Sequence, residues 1–296
     1  MGKHAYLIMA HNEFEVLGRL LRMLDYCDND IYLHIDKKTK CESLERFQEM
    51  VKCSKLYIVP RRRVYWGDMS QIRCEYDLLE TAVTGKYEYY HLLSGVDMPL
   101  KSQRIIHDFL DNCTDEFISN HTEGMYGDEF LYKVQYYFPF QKFIGNGKVD
   151  GNGVREYYLR KLSEWQYRLL MLQKEKGVDR TQRDNVTYYK GNNWFSITHD
   201  FAEYVLKRKK DIFRRYRYTN AADEIFLPTL AMNSQFQDRV VKDCLRKIDW
   251  QRGTPYEFTW KEKEELENAP EFFVRKLSYT REPRLVEWLY ERLQEK

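Results

Sequence analysis

Cysteine, glycine and proline are scarce in this chain, and no long apolar run interrupts it. The six cysteines, Cys27, Cys41, Cys53, Cys74, Cys113 and Cys244, are scattered without a CxxC pair. That spacing argues against a zinc site or a disulfide framework and for free thiols in a reducing cytoplasm. The longest mainly apolar stretches, such as residues 5–10, fall well short of the ~20 apolar residues that a membrane span needs. The N-terminus shows no apolar signal-peptide core, and Tyr6 stands where a myristoylation signal carries Ser or Thr. Charge of one sign is lacking too, since 48 Lys and Arg face 46 Asp and Glu for a net +2. A surface built throughout to hold nucleic acid is excluded, so any basic function must be local. With 296 residues, 43% of them hydrophobic, the chain can bury a sizeable core, which rules out disordered and collagen-like classes.

What is abundant is aromatic: 24 Tyr and 6 Trp against only 14 Gly and 7 Pro. A ring that is apolar on its face and hydrogen-bonding at its tip suits both half-buried packing and sugar recognition. Along the chain, strand patterns over 4–10, 31–35, 55–59 and 87–93 alternate with helical spacing at Phe14, Leu17, Leu20, Leu21 and Leu24, over 42–51, over 70–84 and over 102–111. This alternation predicts βαβ units, a right-handedly wound, mostly parallel sheet and helices on both faces. Ligands of such sheets sit beyond the carboxyl ends of the strands. His11-Asn12, Asp36-Lys38 and Ser94-Asp97 all fall there, so a nucleotide-type cleft is expected.

The pattern loosens over 121–189, where Gly145-Asn-Gly147 and Gly151-Asn-Gly153 turns precede a basic amphipathic helix over 155–174. We read one domain over 1–296, with a nucleotide-binding half over 1–120, an acceptor-side insertion over 121–189 and a catalytic and diphosphate-binding half over 190–296. The last part carries a strand feeding a helix at 201, Asp223-Glu224 opening a helix over 225–232, a strand over 240–248, and helices near 261–267 and from 283.

GxGxxG after the first strand, GxxxxGK[ST] and GxSxG are all missing, which removes the usual dinucleotide, NTPase and hydrolase signatures. Asp28-Asn29-Asp30 is the one Asp-x-Asp, but it precedes the second strand, at the wrong end of the sheet for a metal site, and reads as a turn or cap. Trp66-Gly67 lies just before a helix N-terminus, where backbone N–H groups favour a polar or anionic ligand. Glu224 beside Asp223 is either a helix cap or a catalytic carboxylate. Basic and aromatic residues alternate over 245–253 and 272–277, as a clamp on a diphosphate or as solvated surface cations. The run over 207–217 carries seven positive charges and one acid, suited to a solvated helix face, anionic lipid or a polyanionic acceptor.

Taken in order, the segments Ala5–His11, Leu33–Lys38, Trp66-Gly67, His91–Ser102, Gly191–Ser196, Asp223-Glu224, Leu245–Arg252 and Phe272–Lys276 resemble glycosyltransferase family 14, the core-2/I-branching N-acetylglucosaminyltransferases and peptide xylosyltransferases. The resemblance covers most of the chain except 121–189. It implies a GT-A-type α/β fold and an inverting, metal-independent transfer of a sugar, GlcNAc before xylose, from a UDP-sugar to an acceptor hydroxyl. No cofactor or metal is implied. Carried across by position, Met9, Ala10, His11, Asp36 and Lys38 would line the uridine site. Trp66 and Asp97 would face the donor, and Glu224 would be the general base. Arg252 and Lys276 would meet the diphosphate, with Arg246 as a competing candidate. Trp194 and Asp223 are expected on the acceptor side, and Tyr132, Tyr136 and Tyr137 as further sugar-stacking rings.

Animal members carry an N-terminal anchor and a disulfide framework that this sequence lacks, which points to a bacterial-type, cytoplasmic relative building a surface polysaccharide. Its expected partners are a UDP-sugar donor and a glycan or lipid-linked glycan acceptor, with peripheral contact on the inner membrane face through 207–217. The reading from a different class is a non-catalytic UDP-sugar or glycan-binding protein on the same fold.

Overall fold

The computed structural model describes residues 2–40, 44–120, 130–147, 151, 153–183, 185–253 and 255–294. The first half alternates as the sequence pattern predicts. Strand β1 (His4–Ala10) leads to helix α1 (Phe14–Leu24), then β2 (Asn29–Ile35), a short α2 (Glu45–Gln48), β3 (Lys55–Ile58), α3 (Ser70–Ala82) and β4 (Tyr89–Ser94). A two-residue β5 (Met98–Pro99), α4 (Gln103–Leu110) and β6 (Glu116–Ile118) follow. The middle holds α5 (Tyr132–Gln135), α6 (Gln141–Ile144) and a long α7 (Val154–Glu175). The last part runs β7 (Phe195–Thr198), α8 (His199–Lys207), α9 (Lys209–Arg215), α10 (Phe226–Met232), β8 (Val240–Val241), β9 (Arg246–Ile248), α11 (Lys263–Glu267), β10 (Phe273–Arg275) and α12 (Pro283–Gln294).

The main sheet has seven strands in the order β3-β2-β1-β4-β7-β6-β8. Four neighbouring pairs are parallel, while β7 runs antiparallel to both β4 and β6. Alternation along β1 explains how one strand serves two cores. Ala5 and Leu7 face a layer with α3, α8 and α10, whereas Tyr6, Ile8 and Ala10 face a layer with α1 and α4. Both sides of β1 are therefore dry, and its run reads as continuously apolar. A second, three-stranded sheet, β5-β10-β9, packs with α1, α11 and α12 in a third apolar cluster. It brings the C-terminal chain back against the β4 end of the main sheet.

The structure corrects several sequence expectations. The single strand expected over 240–248 is two strands in different sheets, because the turn between them carries the chain from one sheet to the other. Asp28 lies in the turn before β2 as expected, but Asn29 and Asp30 are strand residues. The Asn29 amide is buried against Gln103, His107 and the Leu24 carbonyl, and Asp30 accepts a hydrogen bond from the Tyr87 hydroxyl. Of the helix expected over 42–51, only α2 is formed among the described residues; residues 41–43 lie outside them. Cys27, Cys53, Cys74, Cys113 and Cys244 are free, and Cys41 lies outside the described residues. No described helix is long and apolar enough to cross a membrane.

Candidate active site

Three strand ends meet at one point. After β1 the chain turns at His11, after β2 at Asp36, and after β4 at Ser94-Gly95. Gly95 allows that meeting, since a Cβ there would lie 2.7 Å from the Ala10 Cβ. The Asp36 amide donates to the Ala10 carbonyl at 2.8 Å, and the Gly95 amide to the Met9 carbonyl at 2.9 Å. A cavity of about 450 Å³ opens beyond these ends. Met9, Ala10, His11, Asp36, Lys38, Trp66, Trp194, Asp223 and Glu224 all line it. Residues from both halves of the sequence, more than two hundred positions apart, thus line one cavity.

On the β2 side, Asp36 is buried; it accepts the Lys38 amide at 2.8 Å, and the Lys38 ammonium sits 3.4 Å from its carboxylate. That local ring fixes a polar floor. Trp66 is half exposed at the cavity rim. Gly67 beside it takes a left-handed backbone (φ 66°), and its carbonyl accepts the Ala221 amide at 2.9 Å. This bond fastens the Trp66 loop to the segment that carries the two carboxylates.

Those carboxylates follow Ala221, in a single 3₁₀ turn over Ala222–Glu224 that precedes α10. The helix expected over 225–232 accordingly starts at Phe226, directly after that turn. Two lysines hold Glu224, Lys133 at 3.5 Å and Lys190 at 3.4 Å. Lys190 is placed by the backbone, since the adjacent Gly191 amide donates to the Glu224 carbonyl at 2.8 Å. Burial lowers its ammonium below the usual lysine range. Asp223 is buried and accepts from the Gln71 side chain at 2.7 Å. Desolvation, with the Glu224 charge adding to it, pushes its carboxyl up to about 7. Behind it, burial raises the fully enclosed Glu75 carboxyl well above the usual range. The two neighbouring carboxyls thus differ: Asp223 is enclosed, and Glu224 stands at the cavity wall between two cations.

The diphosphate-side expectations fare differently. Arg252 does not line the cavity, because Asp249, Glu262 and Glu265 capture its guanidinium at the surface. Lys276 pairs with Glu257 at 2.8 Å, although it remains in electrostatic reach of His11. Arg246 is buried beneath the sheets, donating to Ser196 and to the Leu92 and Phe195 carbonyls, with its cation over the Phe273 ring. Burial brings it down to about 10. Its role is structural. Asp97 is fully buried rather than facing the donor; it accepts the Ser94 amide at 2.8 Å and pairs with Arg275 at 2.9 Å. Desolvation raises its carboxyl despite that partner. Arg275 joins Lys38 among the cations that line the cavity, its guanidinium 4.3 Å from the centre of the Trp194 ring. Trp194 itself is buried and immediately precedes β7, short of the expected strand position.

Sequence reasoning missed Arg275, Lys133, Lys190, His34, Gln71 and Asn193. The strand alternation in Phe273–Arg275 was available as a signal, since it puts Arg275 on the opposite face from the buried Val274. No periodicity marks Lys133 or Lys190. Of the three expected stacking tyrosines, Tyr137 lies under the Arg180 guanidinium at 4.6 Å, and none of Tyr132, Tyr136 and Tyr137 lines this cavity. Among the described residues, no group of three or more His, Cys, Asp or Glu side chains is arranged to hold a metal.

Comparison with known proteins gives a consistent grouping. Xylosyltransferase 2 of Rattus norvegicus is 24% identical over 263 residues, covering 84% of this chain but 26% of the relative. The N-acetyllactosaminide beta-1,6-N-acetylglucosaminyl-transferase of Mus musculus is 22% identical over 232 residues, covering 76% of this chain and 52% of the relative. The chain thus spans about a quarter to a half of the length of these curated relatives. Among solved structures, the apo glycosyltransferase GlyE of Streptococcus pneumoniae TIGR4 aligns with a TM-score of 0.43 at 10% identity, over 98% of this chain and 59% of that one. The model of the Core-2/I-Branching enzyme family matches residues 4–273. On that match across nearly the whole sequence, the chain belongs to the core-2/I-branching enzyme family.

Proposed function

We propose that this protein is an inverting glycosyltransferase that moves a sugar from a UDP-sugar to an acceptor hydroxyl. GlcNAc and xylose are the two candidate sugars, since relatives named for each transfer match the chain. The observation that carries the reading is the single cavity that gathers Ala10, His11, Asp36 and Lys38 on one side and Glu224 and Arg275 on others. Asp36 and Lys38 supply an acceptor and a donor for a base and ribose. Arg275 supplies a forked cation for a diphosphate.

In the proposed step, Glu224 takes the proton of the acceptor hydroxyl as its oxygen attacks the anomeric carbon. The bond from that carbon to the diphosphate oxygen breaks, and its electron pair leaves with UDP. Attack from the face opposite the leaving group inverts the anomeric centre. The growing charge on UDP is met by Arg275, with Lys38 and Lys276 nearby, which is the work a metal ion does in other transferases. Lys133 and Lys190 hold the Glu224 carboxylate in position and do not touch the reacting atoms. Placement in polysaccharide synthesis belongs to the same proposal.

Glu224→Gln tests it. Turnover should fall by roughly 10²-fold or more, while UDP affinity measured by calorimetry stays within about twofold. Retained turnover would overturn the base assignment. UDP binding with no UDP release under any sugar acceptor would favour a binding protein on the same fold.

A further inference from the structure

Beside the donor cavity lie two larger concavities, of about 580 and 810 Å³. Their described lining is strongly one-signed. The larger is lined by Arg73, Arg180, Arg183, Arg214, Arg215 and Arg217, with no carboxylate. The smaller shares Arg73 and Arg217 and adds Arg63, Lys142 and an Arg62 that is held by Asp77 at 2.7 Å, with one acid, Asp68, in its own lining. The shared residues, including Tyr218, make the two concavities one groove. For a chain whose net charge is only +2, that concentration is local, and a concave, low-dielectric wall strengthens its field.

The groove adjoins the chemistry at two points. Tyr65 forms a partition, with the Lys38 ammonium of the donor cavity 4.5 Å from its ring centre and the Lys142 ammonium of the groove 5.1 Å from it. On the other flank, Val134 lines the groove while its neighbour Lys133 grips Glu224. The basic run over 207–217 is divided accordingly. Lys207, Lys209 and Arg214 are answered by Glu203, Glu80 and Asp211, and Arg214, Arg215 and Arg217 also line the groove. Aromatic rings stand among the cations: Tyr218 is exposed, Tyr65 and Tyr137 are half-buried, and Phe138 and Tyr188 are buried in the wall.

We propose that this arginine–tyrosine groove binds the acceptor, and that the acceptor is an anionic glycan bearing carboxylate or phosphate groups. The proposal rests on the glycosyltransferase reading above. Guanidinium forks match carboxylate and phosphate oxygens, and tyrosine faces match sugar rings. A glycan chain lying in the groove would have its terminal hydroxyl delivered to Glu224. Concavity favours an inserted chain over a flat lipid surface.

The test titrates a uronate oligosaccharide, its carboxyl-reduced neutral counterpart and a glycerol-phosphate oligomer into the wild type and into an Arg73→Glu/Arg217→Glu variant. UDP binding by calorimetry and the thermal transition serve as folding controls. The anionic probes should bind at least roughly tenfold more tightly than the neutral one. They should weaken as salt rises from about 0.05 to about 0.3 M, and should lose at least about tenfold in the variant while UDP affinity holds. Preference for the uronate or the glycerol phosphate identifies the source of the anion. Equal binding of the neutral glycan, or unchanged binding by the variant, would overturn the proposal. So would binding of an acidic peptide or phosphatidylglycerol vesicles, lost in the variant, with no binding of either glycan. Anionic glycan binding without UDP binding would leave the groove standing and sink the glycosyltransferase reading instead.

Discussion

Replacing Arg275 by Gln removes the arginine that lines the cavity and leaves Arg252, the one the family resemblance implied, untouched. Two effects of different origin follow. The first is on the ligand. A charged hydrogen bond to a diphosphate contributes on the order of 1.5–3 kcal/mol, which corresponds to a UDP affinity roughly 10- to 150-fold weaker. The second is on the fold. Asp97 is fully buried and its salt-bridge partner is Arg275, at 2.9 Å. Stranding a buried charge costs on the order of 3–5 kcal/mol. The two are separated by the double variant Arg275→Gln/Asp97→Asn. It removes the stranded charge, so much of the lost stability should return while the lost affinity should not. Arg252→Gln is the control. It acts on a surface guanidinium held by three carboxylates, and exposed pairs contribute at most about 1 kcal/mol. UDP affinity should stay within about twofold of the wild type. Calorimetric titration with UDP and urea unfolding of all three variants provide the readouts. If Arg252→Gln weakens UDP as much as Arg275→Gln does, or if the double variant recovers affinity along with stability, the placement of the diphosphate beside Arg275 is wrong.

Three more outcomes can be checked independently. Activity should persist in excess EDTA, because protein cations are proposed to meet the leaving diphosphate; loss on chelation and recovery with Mn²⁺ would return that role to a metal. Asp223 has a folded-state carboxyl raised to about 7 by burial and by Glu224, so its stabilising contribution is present below the ordinary carboxylate range and is lost as pH rises toward 7. The stability advantage of the wild type over Asp223→Asn should therefore shrink between about pH 4 and pH 7, and a difference that is flat or growing in urea titrations would contradict the assignment. Trp66 is 54% exposed, so Trp66→Ala should shift stability by no more than about 0.5 kcal/mol. The donor KM should rise roughly three- to tenfold through loss of a stacking face, whereas an unchanged KM would remove Trp66 from the site.

The parts of this molecule most legible in the sequence are those built from short-range periodicity. Residues 4–10 read as a strand because both faces of β1 are buried, and α1 showed its apolar spacing because one face packs under the sheet. The ends of β1, β2 and β4 were findable as a ligand cleft because parallel strands leave their turns at one edge. Asn29 and Asp30 misled because a polar triplet beginning in a turn looks like turn throughout until Gln103, His107 and Tyr87 satisfy those two residues inside the protein. The antiparallel insertion of β7 was not legible either, since a buried strand has the same composition in either direction.

The cations show the same division. That positive charge would be needed near 245–253 and 272–277 followed from the order of segments, but choosing among Arg246, Arg252, Arg275 and Lys276 depended on neighbours far along the chain. Arg246 is enclosed by carbonyls, Arg252 and Lys276 are matched by Asp249, Glu265 and Glu257, and Arg275 is held by Asp97 against Trp194. Likewise, the basic run over 207–217 looked uniform, and only packing against Glu80, Glu203 and the 134–188 region divided it between surface and groove. The sequence by itself determined the α/β layering, the family and the identity of Glu224 as a candidate base, because these rest on local pattern and on the order of motifs. Tertiary structure alone decided which charges line the cavity, because a cation's availability depends on burial and on the carboxylates brought within reach of it by folding.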